Sequence, residues 1–428
     1  MADTSRKLFW ARLDNAALIF PASLRRHWSN SFRISFSFRD PVDPAVLQQA
    51  LDRTVVRFPS VCVALRRSLF WYYLEELPKA PVVREDSYQP LVKMTRSDIR
   101  RCAFRVLYYR SRLAVEYFHS VTDGTGGLIF AKNLAAEYVR LRYDTDVPPE
   151  GDVRDLAEAP RKEELEDSFQ RLRGPVSAPR DPLGVYRARD ELEPDRFLHV
   201  TIGITDSEKL HTLAKRYHVS VTAYLTALLL KCLLEMQEED QPRLMKRHPV
   251  KVQIPVNLRS LYGGETMRNF VAVANIGVDA RLGEYSMEEL TSIVYHQMQL
   301  EITPKNMQAI FTPNLSSEQN PLLRVIPLFI KNIVMRIVYD RVGENTSSMC
   351  LSNLGQVQLP AAMAPFVERV EFVLGAQASA PYNVSCTSWG GNTYINIVRN
   401  SLRPRLESRF FRYLVEQGLA VRIESNER

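Results

Sequence analysis

A chain of 428 residues exceeds what one hydrophobic core ordinarily supports, so two domains are expected. Hydrophobic residues at 45% and charged residues at 25% exclude an intrinsically disordered chain and a polytopic membrane protein. The 56 Lys and Arg are spread among 49 Asp and Glu, to a net +7, with no basic run interleaved with aromatics; that argues against nucleic acid and fits a phosphate-bearing cosubstrate or an acidic carrier, with a simple solvated surface as the alternative.

Met1 to Leu13 carries charge throughout and has no uninterrupted apolar core, so no secretory leader is read there and a cytoplasmic protein is expected. Phe32 to Phe38 alternates as a strand. Asp43 then caps a helix with Pro44 in its first turn and Val46, Leu47, Ala50, Leu51 and Val55 on its apolar face. Val61 to Leu65 and Leu69 to Leu74 read as a hairpin. Cys102 to Arg110 and Arg112 to Phe118 read as two further strands, turning at Arg110-Ser111. Directly after them comes His119-Ser120-Val121-Thr122-Asp123-Gly124, an H-x-x-x-D-G pattern, and Thr125-Gly126-Gly127 opens a helix to about Tyr143. Residues 1–146 therefore form a mixed α/β half that carries this loop.

Residues 147–194 hold seven prolines (Pro148, Pro149, Pro160, Pro175, Pro179, Pro182 and Pro194) and dense charge, which marks an interdomain connection; Arg161 to Arg173 is a candidate short surface helix within it. The second half, 195–428, opens with a strand from Leu198 to Gly203 and a helix from Asp206 to Tyr217. A strongly apolar helix follows from Val221 to Gln237, and Ser286 with Glu289 forms a capping box for Met287 to Glu301. Further strands are expected at Val250 to Val256, Val271 to Val278, Met349 to Leu354, Val370 to Leu374, Tyr382 to Ser388 and Thr393 to Val398. The most hydrophobic tract, Leu322 to Tyr339, is broken by Arg324, Pro327, Lys331 and Arg336. It is no transmembrane span but a basic amphipathic helix packed on the body, the alternative being an acyl or membrane-facing entrance.

Five cysteines (Cys62, Cys102, Cys232, Cys350, Cys386) lie far apart in apolar patterns, as reduced buried thiols do. His211 and His218 have no ligand partners at suitable spacing, so no metal is expected, and Gly263-Gly264 and Gly390-Gly391 read as turns rather than phosphate loops. His119 is different, because it sits in a strand-to-helix loop. A neutral imidazole near pH 7 is matched to taking the proton of a hydroxyl or amine as it attacks a thioester, with no covalent intermediate. Asp123 either orients this ring or anchors the loop to a distant arginine. Arg259, in Ile254-Pro255-Val256-Asn257-Leu258-Arg259-Ser260, is the candidate partner, and the anchoring role is preferred.

These residues carry a resemblance. The H-x-x-x-D-G motif, the Pro255-Val256-Asn257-Leu258-Arg259 run with Met267-Arg268-Asn269-Phe270 behind it, Leu351-Ser352-Asn353-Leu354-Gly355 and Tyr382-Asn383-Val384-Ser385 together resemble the chloramphenicol acetyltransferase-like superfamily. The likeness runs from about residue 8 to the C-terminus and is strongest to bacterial alcohol acetyltransferases and polyketide-associated acyltransferases. It implies two similar α/β domains in a pseudo-dimeric arrangement with a channel between them, acyl-CoA as cosubstrate with no permanently bound cofactor, and a monomer. It implies His119 as general base, an Asp123–Arg259 salt bridge, and Gly124 as the residue that lets the loop turn into its helix. Asn383, Ser385 and Thr387 lie on a strand whose counterpart lines the channel in relatives, so a hydroxyl there is a candidate oxyanion donor, with cross-strand hydrogen bonding as the plain alternative. Asp14-Asn15-Ala16-Ala17-Leu18-Ile19-Phe20-Pro21 is similar to an entrance segment, although a packed N-terminal element is the reading preferred. Phe118 replaces the first of two histidines of peptide condensation domains, and the plant-type D-F-G-W-G is absent, with only Ser388-Trp389-Gly390-Gly391 as an echo.

The expected activity is transfer of an acyl group from acyl-CoA to a hydroxyl of a small or lipid-like acceptor, with peripheral membrane contact allowed and no nucleic-acid partner. An acyl-carrier-protein-dependent or amide-forming condensation enzyme, or a catalytically silent carrier-binding scaffold, are the alternatives.

Overall fold

Local capping and alternation set the elements of the computed structural model, which describes residues 8–24, 30–172, 174, 184–195, 197–338, 345–376 and 380–427. The first half runs β1 (Trp10–Arg12), α1 (Ile19–Ser23), β2 (Ser31–Phe38), α2 (Pro44–Arg57), β3 (Val63–Arg67), β4 (Tyr72–Glu76), β5 (Arg84–Glu85), α3 (Arg96–Arg101), β6 (Phe104–Tyr109), β7 (Arg112–Phe118) and α4 (Gly124–Tyr143). The middle of the chain adds α5 (Lys162–Leu165), β8 (His199–Asp206), α6 (Ser207–Arg216), α7 (Val221–Asp240), β9 (Pro249–Asn257), α8 (Arg259–Tyr262), β10 (Val271–Asp279), α9 (Met287–Glu301), α10 (Pro304–Gln319), α11 (Pro321–Arg324) and α12 (Leu328–Val338). The last elements are β11 (Met349–Gln356), β12 (Val367–Leu374), β13 (Tyr382–Trp389), β14 (Asn392–Arg399), α13 (Arg405–Glu416) and β15 (Arg422–Ser425). Asp43 caps α2 through the Ala45 and Val46 amides, and the Ser286–Glu289 capping box starts α9.

Three sheets result, in strand orders β1-β4-β3, β12-β2-β7-β6-β5 and β10-β9-β11-β13-β14-β8-β15. One core packs α2 and α4 against the five-stranded sheet; a second packs α6, α7, α9 and α13 against the seven-stranded sheet. The division into consecutive halves does not describe sheet membership. β12 lies within the segment assigned to the second half, yet it pairs antiparallel with β2, and Val367, Val370, Phe372 and Leu374 join the first core.

Because β12 is an edge strand, its outer carbonyls need partners, and the large sheet supplies them from side chains. Ser385 Oγ donates to Phe372 O at 2.6 Å, Thr387 Oγ1 to Val370 O at 3.0 Å, Asn383 Nδ2 to Gly375 O at 2.7 Å and Trp389 Nε1 to Val367 O at 3.1 Å. Asn396 of β14 adds a second donor to Phe372 O at 3.1 Å. The two sheets are thus joined along one seam of side-chain-to-backbone hydrogen bonds.

Two expectations change. The acidic-basic stretch after Arg161 is not merely a surface helix: α5 buries Glu164 so that it accepts from Arg57 at 2.6 and 2.9 Å and from Arg154 at 2.8 Å. A carboxylate can be buried there because three guanidinium groups, Arg161 included, surround it. The prolines from Pro175 to Pro182 lie outside the described residues, as does Tyr339. α12 packs on the body as expected, but through Lys331 and Asn332, with Phe329, Ile330, Ile333, Val334 and Ile337 outward. Among the described residues no single helix is long and apolar enough to cross a membrane.

Thr387→Val keeps shape but removes the donor to Val370 O. Loss of about 1–3 kcal/mol of stability is expected in urea unfolding, and an unchanged midpoint would show that this seam bond contributes nothing.

Candidate active site

His119 leaves β7, and its amide donates to Asn30 O at 2.9 Å, which fixes the backbone at the strand end. Its ring is flanked by Phe20 of α1, stacked with centroids 5.0 Å apart, and by Phe32 of β2 at 4.7 Å. Among the described residues no group hydrogen-bonds a ring nitrogen, while the residue keeps partial access to solvent. Burial against these aromatic rings lowers the imidazole to about 4, outweighing the upward pull of the Asp123 charge. The ring is therefore uncharged at neutral pH.

Asp123 caps α4. One carboxylate oxygen accepts from the Gly126 amide at 2.9 Å; the other accepts from Arg259 Nη1 and from the Phe270 amide, each at 2.8 Å. This is the anchoring arrangement, and it leaves the carboxylate turned to Arg259 instead of the imidazole. Arg259 is itself fixed, donating to Thr266 O at 2.8 and 2.9 Å, to Arg268 O at 2.6 Å and to Asn257 Oδ1 at 3.2 Å. Thr122 Oγ1 adds a 2.6 Å bond to Met267 O. The loop after β7, which belongs to the first core, is thereby tied at three points to the segment between β9 and β10 of the second.

Glycines keep this junction close. Gly124 is the first residue of α4, and its backbone is not in the left-handed region, so it is not a turn glycine; a Cβ there would meet Leu354 Cδ2 at 3.0 Å. Gly126 is more constrained, since its Cβ would lie 2.5 Å from Met267 O and collide with the Thr122 hydroxyl.

Asn383, Ser385 and Thr387 do not converge on the imidazole as oxyanion donors. They are buried, and Ser385 and Thr387 donate to β12 carbonyls while Asn383 donates to Gly375 O just beyond that strand, because an edge strand inside the molecule leaves carbonyls that must be satisfied. The cysteines contribute no thiolate: burial raises Cys62, Cys232, Cys350 and Cys386, and pushes Cys102 up to about 11. The N-terminal segment, read from sequence as simple packing, forms part of the site. Phe20 covers the ring, Ala17 O accepts from Ser120 Oγ at 3.3 Å, and buried Asp14 takes the Ala17 amide at 2.8 Å with Arg268 3.7 Å away. Desolvation raises Asp14 to about 7 despite that guanidinium. The Met267-Arg268-Asn269-Phe270 run marked these contacts only as a motif; nothing local pairs Arg268 with Asp14.

Comparison with solved structures places this architecture. The chain superimposes on polyketide synthase associated protein 5 from Mycobacterium tuberculosis with a TM-score of 0.59 and 14% identity, covering 94% of this chain and 96% of that one. It matches TRI101 of F. sporotrichioides, solved with coenzyme A and T-2, at TM-score 0.61 and 13% identity over 98% and 100%. The first condensation domain of the calcium-dependent antibiotic synthetase matches at 0.59 and 15% over 97% and 100%. The chain shares the two-domain chloramphenicol acetyltransferase-like and condensation fold of these solved proteins. Two sequence relatives, uncharacterized proteins from two strains of M. tuberculosis, are each 27% identical over 372 residues, 81% of this chain and 82% of theirs. No protein-family model matches the chain.

Within this fold the Asp123–Arg259 pair is almost wholly buried, and truncating one member strands the other charge. Arg259→Ala is expected to cost about 3–5 kcal/mol of stability, read as a lowered thermal midpoint. A midpoint equal to wild type would contradict the anchoring role.

Proposed function

We propose that this chain is an acyltransferase that moves an acyl group from acyl-CoA to a hydroxyl of a small or lipid-like acceptor. The observation that carries this reading is an uncharged imidazole, free of hydrogen bonds among the described residues, on a loop pinned across the junction of the two cores. An imidazole in that state accepts a proton at Nε2 or Nδ1 without first losing one. His119 takes the hydroxyl proton as the acceptor oxygen bonds to the thioester carbonyl carbon. Collapse of the tetrahedral adduct breaks the carbon–sulfur bond, and the imidazolium returns the proton to the departing thiolate. No enzyme-bound acyl group is needed, and the cysteines, four buried and Cys102 half-buried, are held protonated and offer none. That TRI101 was solved with coenzyme A supports the choice of donor, and the relatives' fold supports the reaction class.

Asp123 cannot serve as a relay in this scheme, since its oxygens are held by Arg259, Phe270 and Gly126. The imidazolium that forms is stabilised by transfer onward, not by a paired carboxylate. The position of the donor, and the channel that would admit its pantetheine arm, are part of the proposal.

Free-thiol release from acetyl-CoA with a panel of alcohols tests the reading. His119→Ala is expected to slow release by about 10²–10⁴-fold, with folding intact; a rate equal to wild type would exclude the base. The acid limb supplies a second check. The neutral ring is the active form and burial holds its folded value near 4, below the free value of 6.5, so kcat/KM should stay flat on acidification to about pH 5 and halve near 4. Between those two values the unfolded chain binds the proton preferentially, so this histidine also removes stability as pH falls through that window. Phe20→Ala, which wets the ring, is expected to move the acid limb upward toward 6.5; an unmoved limb would show that stacking does not set it.

A further inference from the structure

Helix α12 is built inside out for a helix on a water-facing surface. Leu328, Lys331, Asn332 and Met335 face the body, whereas Phe329, Ile330, Ile333, Val334 and Ile337 are exposed, Phe329 by 66% and Ile333 by 59%. The inward polar pair fastens the helix to the body. Lys331 Nζ donates to Phe70 O at 3.0 Å and Asn332 Nδ2 to Tyr72 Oη at 2.9 Å, and Leu328 N donates to Leu69 O at 2.8 Å. These bonds hold the helix with its aliphatic side outward. The β3–β4 turn it binds extends the same surface with Leu69, itself 66% exposed, and Val325 lies exposed just ahead of the helix. Residues alternating at helical spacing over 11 positions make an apolar strip about 16 Å long.

Charge in the segments that form the strip is mainly basic. From Asn320 to Tyr339 the sequence contains Arg324, Lys331 and Arg336 and no acidic residue before Asp340; the β3–β4 hairpin adds Arg67, while Arg66 is paired with Glu75 at 2.7 Å. Arg324, Arg336 and Arg67 are exposed. Trp71, under the Arg12 guanidinium at 4.4 Å, and Tyr72 stand at the base of the turn, the aromatic types that settle at a membrane–water boundary.

We propose that the outward face of α12 and the adjoining Ser68–Trp71 turn dock this protein on an anionic bilayer surface. Apolar side chains without hydrogen-bonding groups, flanked by the exposed Arg67, Arg324 and Arg336, are what the headgroup–acyl boundary of such a bilayer accepts, and they offer a protein partner little polar register. The usual interfacial helix turns its polar face to water; here the protein body takes the place of water and satisfies that face. The location also has a consequence for substrate. α12 packs on α1, Arg336 reaches Leu24 O at 3.5 Å, and α1 carries the Phe20 ring that covers His119. A docked molecule therefore presents the cover of the imidazole to the lipid layer, so that the acceptor class is a hydroxyl-bearing amphiphile; this last step rests on the proposed function, whereas the docking does not.

The test is co-sedimentation of the full chain with phosphatidylcholine vesicles, with and without phosphatidylglycerol. Wild type is expected to bind the anionic vesicles, less so as salt rises, and the Phe329→Ser/Ile333→Ser variant to lose binding at least about tenfold with its thermal midpoint unchanged. Wild type left in the supernatant, or a variant that sediments equally, would overturn the proposal. So would a wild-type dimer in analytical ultracentrifugation that the variant converts to monomer, since a second copy would then cover the face. His119→Ala should sediment like wild type whatever its rate of thiol release, and the double serine variant should release thiol normally with a short soluble alcohol, so that docking and chemistry fail separately.

Discussion

Everything at the site depends on one buried carboxylate shared among three donors. Asp123 satisfies an orphan amide of α4, neutralises Arg259 and takes the Phe270 amide, so a single side chain joins a helix start, a guanidinium and the strand β10 entry of the other core. Placing a charge there is tolerable because both carboxylate oxygens are hydrogen-bonded and one of them faces a guanidinium. The arrangement also removes Asp123 from the reach of the imidazole as a hydrogen-bonding partner. What remains around His119 is aromatic, and an aromatic environment disfavours the imidazolium. Position and protonation state are thus set by different residues, the first by ionic anchoring, the second by Phe20 and Phe32.

That anchoring would have little effect if the two cores could slide. They are joined a second time where β12, reached late in the chain, completes the first sheet and accepts hydrogen bonds from β13 and β14 of the second. The loop junction and the seam meet near Phe372, whose ring approaches Phe32 with centroids 6.0 Å apart and whose carbonyl takes Ser385 and Asn396. Hydroxyls that looked suited to stabilise an oxyanion serve instead to hold the two sheets in register. Gly126 and the Thr122–Met267 bond have the same purpose at shorter range, keeping backbone against backbone where a methyl group would separate them.

Much of this was legible from residue order where the cause is local. Asp43 and Pro44, Ser286 and Glu289, and the alternation in β9, β10, β13 and β14 each specify their element within a few residues, and His119 to Gly124 stood out because its spacing and its strand-to-helix setting agree. The Arg259 partner was legible as well, as a motif pair 136 residues apart. What was not legible is non-local. Alternation identifies β12 as a strand but not the sheet it joins; Glu164 reads as one more acid in a charged linker until Arg57, 107 residues away, closes on it. Periodicity divides α12 into an apolar and a polar face without saying which meets the body. Phe20 lacked any signal beyond its place in a segment like an entrance. The similarity to solved structures, at 13–15% identity, carries the architecture; the roles of residues have to come from their surroundings.

The central claim is that His119 waits as an uncharged imidazole, desolvated by its neighbours and not paired with Asp123. Nuclear magnetic resonance of the ring nitrogens and carbons of His119, followed from neutral pH into acid, reads this directly. The account predicts a single titration with its midpoint at about 4. A midpoint at or above the ordinary histidine value of 6.5 would mean that a carboxylate or solvent holds the charged form, and the account of the site would be wrong.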